Sequence, residues 1–219
     1  MKLAVIFDMD GVLIDSQPLH YEIDMAVLNA CGYPAQLATV TPYTGVSNPD
    51  RWPKYKSTLG LTQTVDTLIE MQTNTMLEVF QKADLTAIKG IPELLKWIKE
   101  KGLSCAVASS SSHELINLVL ESVNIREYFD ILISGEDVAI GKPAPDIYLR
   151  AAEVLGFSPE QCIAIEDATT GILAAKNAGL TCIAYRNPNT HGQDVTLADY
   201  AIDHYEESFS IITVLGGLL

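Results

Sequence analysis

Short apolar runs alternate with stretches of helical period along most of this chain. Leu3-Ala4-Val5-Ile6-Phe7 is a continuous apolar run, and similar runs follow at Ser104–Ala108, Ile131–Ile133, Cys162–Ile165 and Thr181–Tyr185. Runs without polar alternation fit strands buried on both faces. Between them, Ile91–Lys101 places Leu94, Leu95 and Ile98 on one helical face before Gly102 stops it. His113–Val123, Pro145–Leu155 and Thr170–Ala178 repeat the pattern, with Gly156 and Gly179 as further stops. A weaker strand at Tyr200–Ile202 precedes a terminal helix. Strands alternating with helices of about ten residues predict an α/β fold: a Rossmann-like, mostly parallel sheet flanked by helices.

Residues 15–86 break this alternation. Helical pattern dominates there, with one helix expected over His20–Ala30 and another over Thr64–Lys82. Pro42, Gly45, Pro49 and Pro53 are expected to interrupt the stretch between them. Because the interruption falls directly after the first strand, it predicts an inserted helical domain over 15–86, with 1–14 and 87–219 forming the α/β core.

Composition narrows the function classes. The chain has 219 residues, with 28 Asp and Glu against 14 Lys and Arg, a formal net charge of −14. A field of that sign repels polyanions, so nucleic acid and anionic membranes are not expected partners. A hydrophobic fraction of 48% against 19% charged residues excludes a disordered chain. No apolar run approaches the ~20 residues that cross a bilayer. Lys2 is followed by only a short apolar run before Asp8 and Asp10, which does not read as a secretion signal. Cys31, Cys105, Cys162 and Cys182 show no CxxC pairing, and three of them sit in or beside strand-like runs. Reduced thiols packed as small hydrophobes, and a cytoplasmic location, are the expectation. For quaternary state the expectation is a monomer or weak homo-oligomer.

In an open parallel sheet, ligands bind beyond the carboxyl ends of the strands. Asp8-Met9-Asp10-Gly11 follows the first strand, and Ser109-Ser110-Ser111-Ser112 follows the second. A loop ending Gly141-Lys142-Pro143 follows the third, and Glu166-Asp167 follows the fourth. Taken singly, each has a plain structural role as turn residue, helix cap or surface charge. Taken together, they gather four carboxylates, hydroxyls and one ammonium along one edge. Two like charges about 4 Å apart repel by about 4 kcal/mol at an effective dielectric of ~20, so such a knot calls for a cation or for protons. Oxygen ligands without His or Cys favour Mg²⁺. Lys142, Ser109 and the N–H groups of the next helix suit a phosphoryl group. Other motifs fail: Gly135–Lys142 is one residue too long for a P-loop and ends in Pro143, and neither a GxGxxG nor a GxSxG is present.

With these motifs in order, the chain resembles the haloacid dehalogenase-like superfamily, in the branch of β-phosphoglucomutase and small-molecule phosphatases. The matching residues are Phe7 to Ser16, Ala108-Ser109-Ser110-Ser111, Gly141-Lys142-Pro143-Ala144-Pro145-Asp146 and Ile165-Glu166-Asp167. The resemblance implies that Asp8 is a nucleophile forming an aspartyl-phosphate and Asp10 a general acid and base. It implies that Ser109 and Lys142 hold the phosphoryl group. It assigns Asp8, Asp10, Glu166 and Asp167 to Mg²⁺, with Ser110 and Ser111 beside the substrate. Asp10 favours phosphoryl transfer over dehalogenation, because only an alkoxide leaving group needs an acid there.

The inserted segment resembles the helical cap of that branch. His20, Gly45, Asn48 and Trp52 are its candidate substrate residues, with Tyr43 and Tyr55 nearby. A mutase of this branch is expected to carry an Arg after Gly-Val-Ser and a Lys in the later cap helix. Here Asn48 follows Gly45-Val46-Ser47, Met71 falls where the Lys would, and Arg51 and Lys54 are out of register. The expectation is therefore a Mg²⁺-dependent phosphatase acting on a small phosphorylated metabolite, with sugar phosphates the leading class. Intramolecular phosphoryl transfer of the β-phosphoglucomutase type is the first alternative, and a non-catalytic phospholigand sensor the second.

Overall fold

A computed structural model describes residues 3–43, 48–190 and 192–217. The chain divides into two compact units, Met1–Asp15 with Leu85–Leu219, and Ser16–Asp84. The first is built on a six-stranded sheet of β1 (Ala4–Phe7), β2 (Ser104–Ser109), β3 (Ile131–Ser134), β4 (Cys162–Glu166), β5 (Thr181–Tyr185) and β6 (Tyr200–Ile202). All pairings are parallel, and the strand order is β3-β2-β1-β4-β5-β6. The chain thus walks outward from β1 to β3 and then returns to β1's other side with β4. That reversal opens a crevice at the carboxyl ends of β1 and β4.

β1, β2, β4 and β5 are buried on both faces, as their unbroken apolar runs predict, while the edge strands β3 and β6 are partly exposed. Ala4, Ile6, Ala106, Ala108, Ala164 and Ala184 turn to one face, where Ile147, Tyr148, Ala151, Ile172 and Ala175 cover them. Small side chains on the strands let the helices α7 (Asp146–Leu155) and α8 (Thr169–Asn177) lie close. On the other side, Phe7 meets Phe129 edge to face, with centroids 6.0 Å apart. The helix α5 (Ile91–Glu100) buries Leu94, Leu95 and Ile98, the face read from its spacing, together with Ile91, and α6 (His113–Ser122) buries Leu115, Ile116, Val119 and Leu120. The four cysteines are free thiols. Among the described residues, no helix is long and apolar enough to cross a membrane.

The second unit holds α1 (Gln17–Ala30), the short α2 (Leu37–Val40), α3 (Asn48–Leu59) and α4 (Val65–Lys82). Thr64 caps α4 through a 3.1 Å hydrogen bond from the Thr67 N–H. One expectation is corrected here: Pro49 and Pro53 do not break the middle of this segment, because α3 runs through both. Pro53 forfeits one helical hydrogen bond, at a cost of about 3 kcal/mol. Burial of Trp52 and Tyr55, both 0% exposed in the unit's core, offsets it.

Candidate active site

The reversal in strand order explains why residues far apart in sequence meet. Phe7 pairs with Ile165 across β1 and β4, and the Asp8 N–H donates to the Ile165 carbonyl at 3.0 Å. Asp8, Glu166 and Asp167 each offer a carboxylate oxygen within 4.8 Å of the others, and all three are buried. Lys142 reaches into this cluster from the loop before α7. Its Nζ donates to Asp8 Oδ1 at 2.6 Å, to Glu166 Oε1 at 2.6 Å and to the Ala108 carbonyl at 3.1 Å. Three acceptors use the three N–H donors of the ammonium.

Glu166 is saturated by its neighbours. Oε1 also accepts from the Tyr148 hydroxyl at 2.8 Å, and Oε2 accepts from the N–H groups of Asp167 and Ala168 at 3.1 and 3.3 Å. A Cβ at Gly171 would land on this carboxylate, so only glycine lets α8 pass it. Ser109, 1% exposed, accepts from the Ser111 N–H at 3.2 Å, and Ser111 Oγ donates to Asp10 Oδ2 at 3.1 Å. The serine run therefore ties the end of β2 to the loop after β1. Ser110 is exposed at the same edge.

Electrostatics single out the same residues. Burial raises the Asp8 carboxyl to about 7; Lys142 pulls it down, while Glu166 and Asp10 push it further up. Burial, with Glu166 and Asp8 beside it, drives Asp167 well above the ordinary carboxylate value. Burial alone would lower the Lys142 ammonium, but the Asp8 and Glu166 charges outweigh it and hold the proton more tightly. With every group ionised, the three carboxylates exceed the one ammonium by two charges. A hard, all-oxygen set carrying uncompensated negative charge fits a divalent cation such as Mg²⁺.

The helical unit holds the other candidates. Trp52 is enclosed in the unit's apolar core, 5.2 Å from the Tyr55 ring, so its side chain packs instead of offering itself to a ligand. His20 lies edge to face on Phe80. Asn48 donates to Gln72 Oε1 at 2.8 Å and accepts from Arg51 Nη2 at 2.5 Å. Arg51 Nε lies 3.2 Å from Asp24 Oδ2, which also accepts from the Tyr55 hydroxyl at 3.0 Å. Gly45 is outside the described residues.

The profile of the haloacid dehalogenase-like hydrolases matches residues 5–185. The chain belongs to this family. It is 32% identical over 177 residues to a phosphorylated carbohydrates phosphatase of Thermotoga maritima, covering 81% of this chain and 82% of the relative. It is 30% identical over 223 residues to hexitol phosphatase B of Escherichia coli K12, covering 94% and 93%. Among solved structures, CbbY of Rhodobacter sphaeroides in complex with xylulose-1,5-bisphosphate superposes with a TM-score of 0.78 at 26% identity, over 94% of this chain and 96% of that one. Relatives of this kind over most of the chain support a phosphoric monoester hydrolase.

Several residues of this haloacid dehalogenase-like site escaped the reading of sequence. Tyr148 lies in the stretch Pro145–Leu155, whose spacing predicts only a helix. Asn187 and Thr190 follow β5; Asn187 Nδ2 donates to the Gly11 carbonyl at 2.9 Å, and Thr190 Oγ1 donates to Asp167 Oδ2 at 2.8 Å. Extending to the fifth strand the rule applied to the first four would have found both.

Proposed function

We propose that this protein is a Mg²⁺-dependent phosphatase that hydrolyses a small sugar phosphate through an aspartyl-phosphate on Asp8. The convergence of Asp8, Asp167 and Lys142 at the strand-order reversal carries this reading. Relatives that are phosphatases of phosphorylated carbohydrates and of hexitols support the sugar class.

Asp8 attacks phosphorus in line while the bond to the sugar oxygen breaks, and protonated Asp10 gives that oxygen its proton. Asp10 then takes a proton from water, which attacks the acyl phosphate. Inorganic phosphate leaves and the Asp8 carboxylate is restored. Lys142, exchanging its bond to Asp8 for one to phosphate, and Ser109 hold the phosphoryl oxygens, whose charge is spread in a loose transition state. Asp8 and Asp167, with the Asp10 main chain, would hold the cation. Bound Mg²⁺ neutralises the carboxylates facing the phosphate and polarises its oxygens. Glu166, with both oxygens engaged, serves as the anchor of Lys142 in place of the ligand role first expected of it.

Arg51 bears on the mutase alternative. It is 9% exposed, and its charge is balanced within the helical unit by Asp24, so it is a poor anchor for a second phosphate. A screen of phosphate monoesters with and without Mg²⁺ tests the proposal. The expected result is Mg²⁺-dependent phosphate release from one or more sugar phosphates. No release from any ester would overturn it in favour of a ligand sensor. Phosphorus NMR showing glucose 6-phosphate formed rapidly from β-glucose 1-phosphate and a bisphosphate activator, with little free phosphate, would overturn it in favour of a mutase.

A further inference from the structure

The loop after β5 is tied to the candidate cation site by two side-chain hydrogen bonds. The Asp167 carboxylate lies directly against the Gly11 backbone, where a Cβ would collide with it and where φ is +80°. The Gly11 carbonyl accepts from Asn187 Nδ2 at 2.9 Å, and the carboxamide oxygen of Asn187 accepts from the Asn189 N–H at 2.8 Å. On the other side of Asp167, Thr190 Oγ1 donates to Oδ2 at 2.8 Å. The same loop is clamped to the start of α8. Gln193 Oε1 accepts from the Thr169 N–H at 2.8 Å, and Thr169 Oγ1 accepts from the Asp194 N–H at 2.7 Å.

These contacts answer a local deficiency. Ala168 is the N-cap of α8 and has no side-chain acceptor, so the helix directly after Asp167 lacks an ordinary cap. Gln193 supplies an acceptor from a distance of 24 residues in sequence. Asp167 is 5% exposed and excess negative charge surrounds it, so an unrestrained carboxylate would turn away from Asp8 and Glu166. A hydroxyl donating to one oxygen restrains the rotamer of a carboxylate that offers an oxygen within 4.8 Å of those of Asp8 and Glu166.

We propose that Thr190 is a positioning residue for the cation site: its hydroxyl holds Asp167 Oδ2 so that the carboxylate is ready for a divalent ion. The loop after β5, locked to α8 through Gln193 and Thr169, holds that hydroxyl in place. This rests on the reading of the carboxylate cluster as a divalent-cation site.

The test is Mn²⁺ binding to metal-free protein, read from loss of the free Mn²⁺ paramagnetic resonance signal. Thr190→Val keeps the shape and removes the donor. It should weaken Mn²⁺ binding about tenfold, and Thr190→Ser should restore it to within about twofold of the parent. Half-maximal phosphate release by Thr190→Val should likewise require about tenfold more Mg²⁺. A merely structural role would lower the metal-free melting temperature and leave the Mn²⁺ affinity of the folded variant alone, which would overturn the proposal. If the valine variant does not fold, Thr190→Ala carries the same expectation against Thr190→Ser. Parent-like Mn²⁺ binding by either variant, with Asp167→Asn unable to bind, would overturn the role of Thr190 and leave the cation site standing. A parent protein that does not bind Mn²⁺ would overturn both.

Discussion

Both units of this protein bury charge, and they do so differently. In the helical unit, Asp24 and Arg51 face each other one to one, and Tyr55, Asn48 and Gln72 close the network around them. Burial still raises the Asp24 carboxyl above its ordinary value, against the pull of Arg51 and Tyr55. At the carboxyl edge of the sheet, Asp8, Glu166 and Asp167 share a single buried ammonium, and with every group ionised the set is negative. A balanced pair is complete in itself and holds helices in register. An unbalanced set is unfavourable to keep and is stabilised by a cation arriving from solution. Excess charge, more than burial, separates a candidate reaction centre from a structural knot.

The comparison breaks most directly at Asp8. Asp8→Asn keeps size and fold but removes the nucleophile, so phosphate release should fall by about 10³-fold or more while the far-ultraviolet circular dichroism is unchanged. A rate near that of the parent would move the nucleophile elsewhere. A smaller effect is expected in the helical unit. Asp24→Ala leaves Arg51 buried without its partner and should cost about 3–5 kcal/mol in urea unfolding. Replacing both, Asp24→Leu with Arg51→Met, should recover most of that loss, as befits a closed pair. A double variant as unstable as the single would show that the network does more than balance charge.

The smallest effect sharpens the charge argument itself. Because the Asp8 carboxyl is raised to about 7, it keeps its proton below that pH, and a cation must displace it. Mg²⁺ affinity should therefore rise toward pH 7 by up to about tenfold per pH unit for the Asp8 proton, more steeply where Asp167 also gives up a proton, with protons released on binding. Calorimetry in buffers of different ionisation enthalpy measures both. Affinity independent of pH below 7 would show that Asp8 is already ionised without metal.

Much of the core was readable because it obeys a single period. The six strands and the helices between them follow from apolar runs and glycine stops, and the strands end within a residue or so of their expected limits. Asp8, Lys142 and Asp167 were readable as candidates because each follows a strand, and Ser109 because it ends one. The helical unit was less so. Pro53 looked like a break, since local propensity carries no information about the burial of Trp52 beside it. Trp52 looked like a ligand contact, since an aromatic side chain in a segment of mixed pattern does not reveal which way it faces.

The order of apolar runs, helical faces and strand-end acids is written along the chain, and it determined the fold class and the side of the sheet that carries chemistry. Which charges are compensated was decided only by tertiary structure. Lys142 reaches Asp8 from 134 residues away, Arg51 is spent on Asp24, and Thr190 meets Asp167 across a loop with no motif. Electrostatic balance is a property of distances of a few ångströms, and those distances exist only once β1 lies beside β4 in one unit and α1 and α3 are folded together in the other.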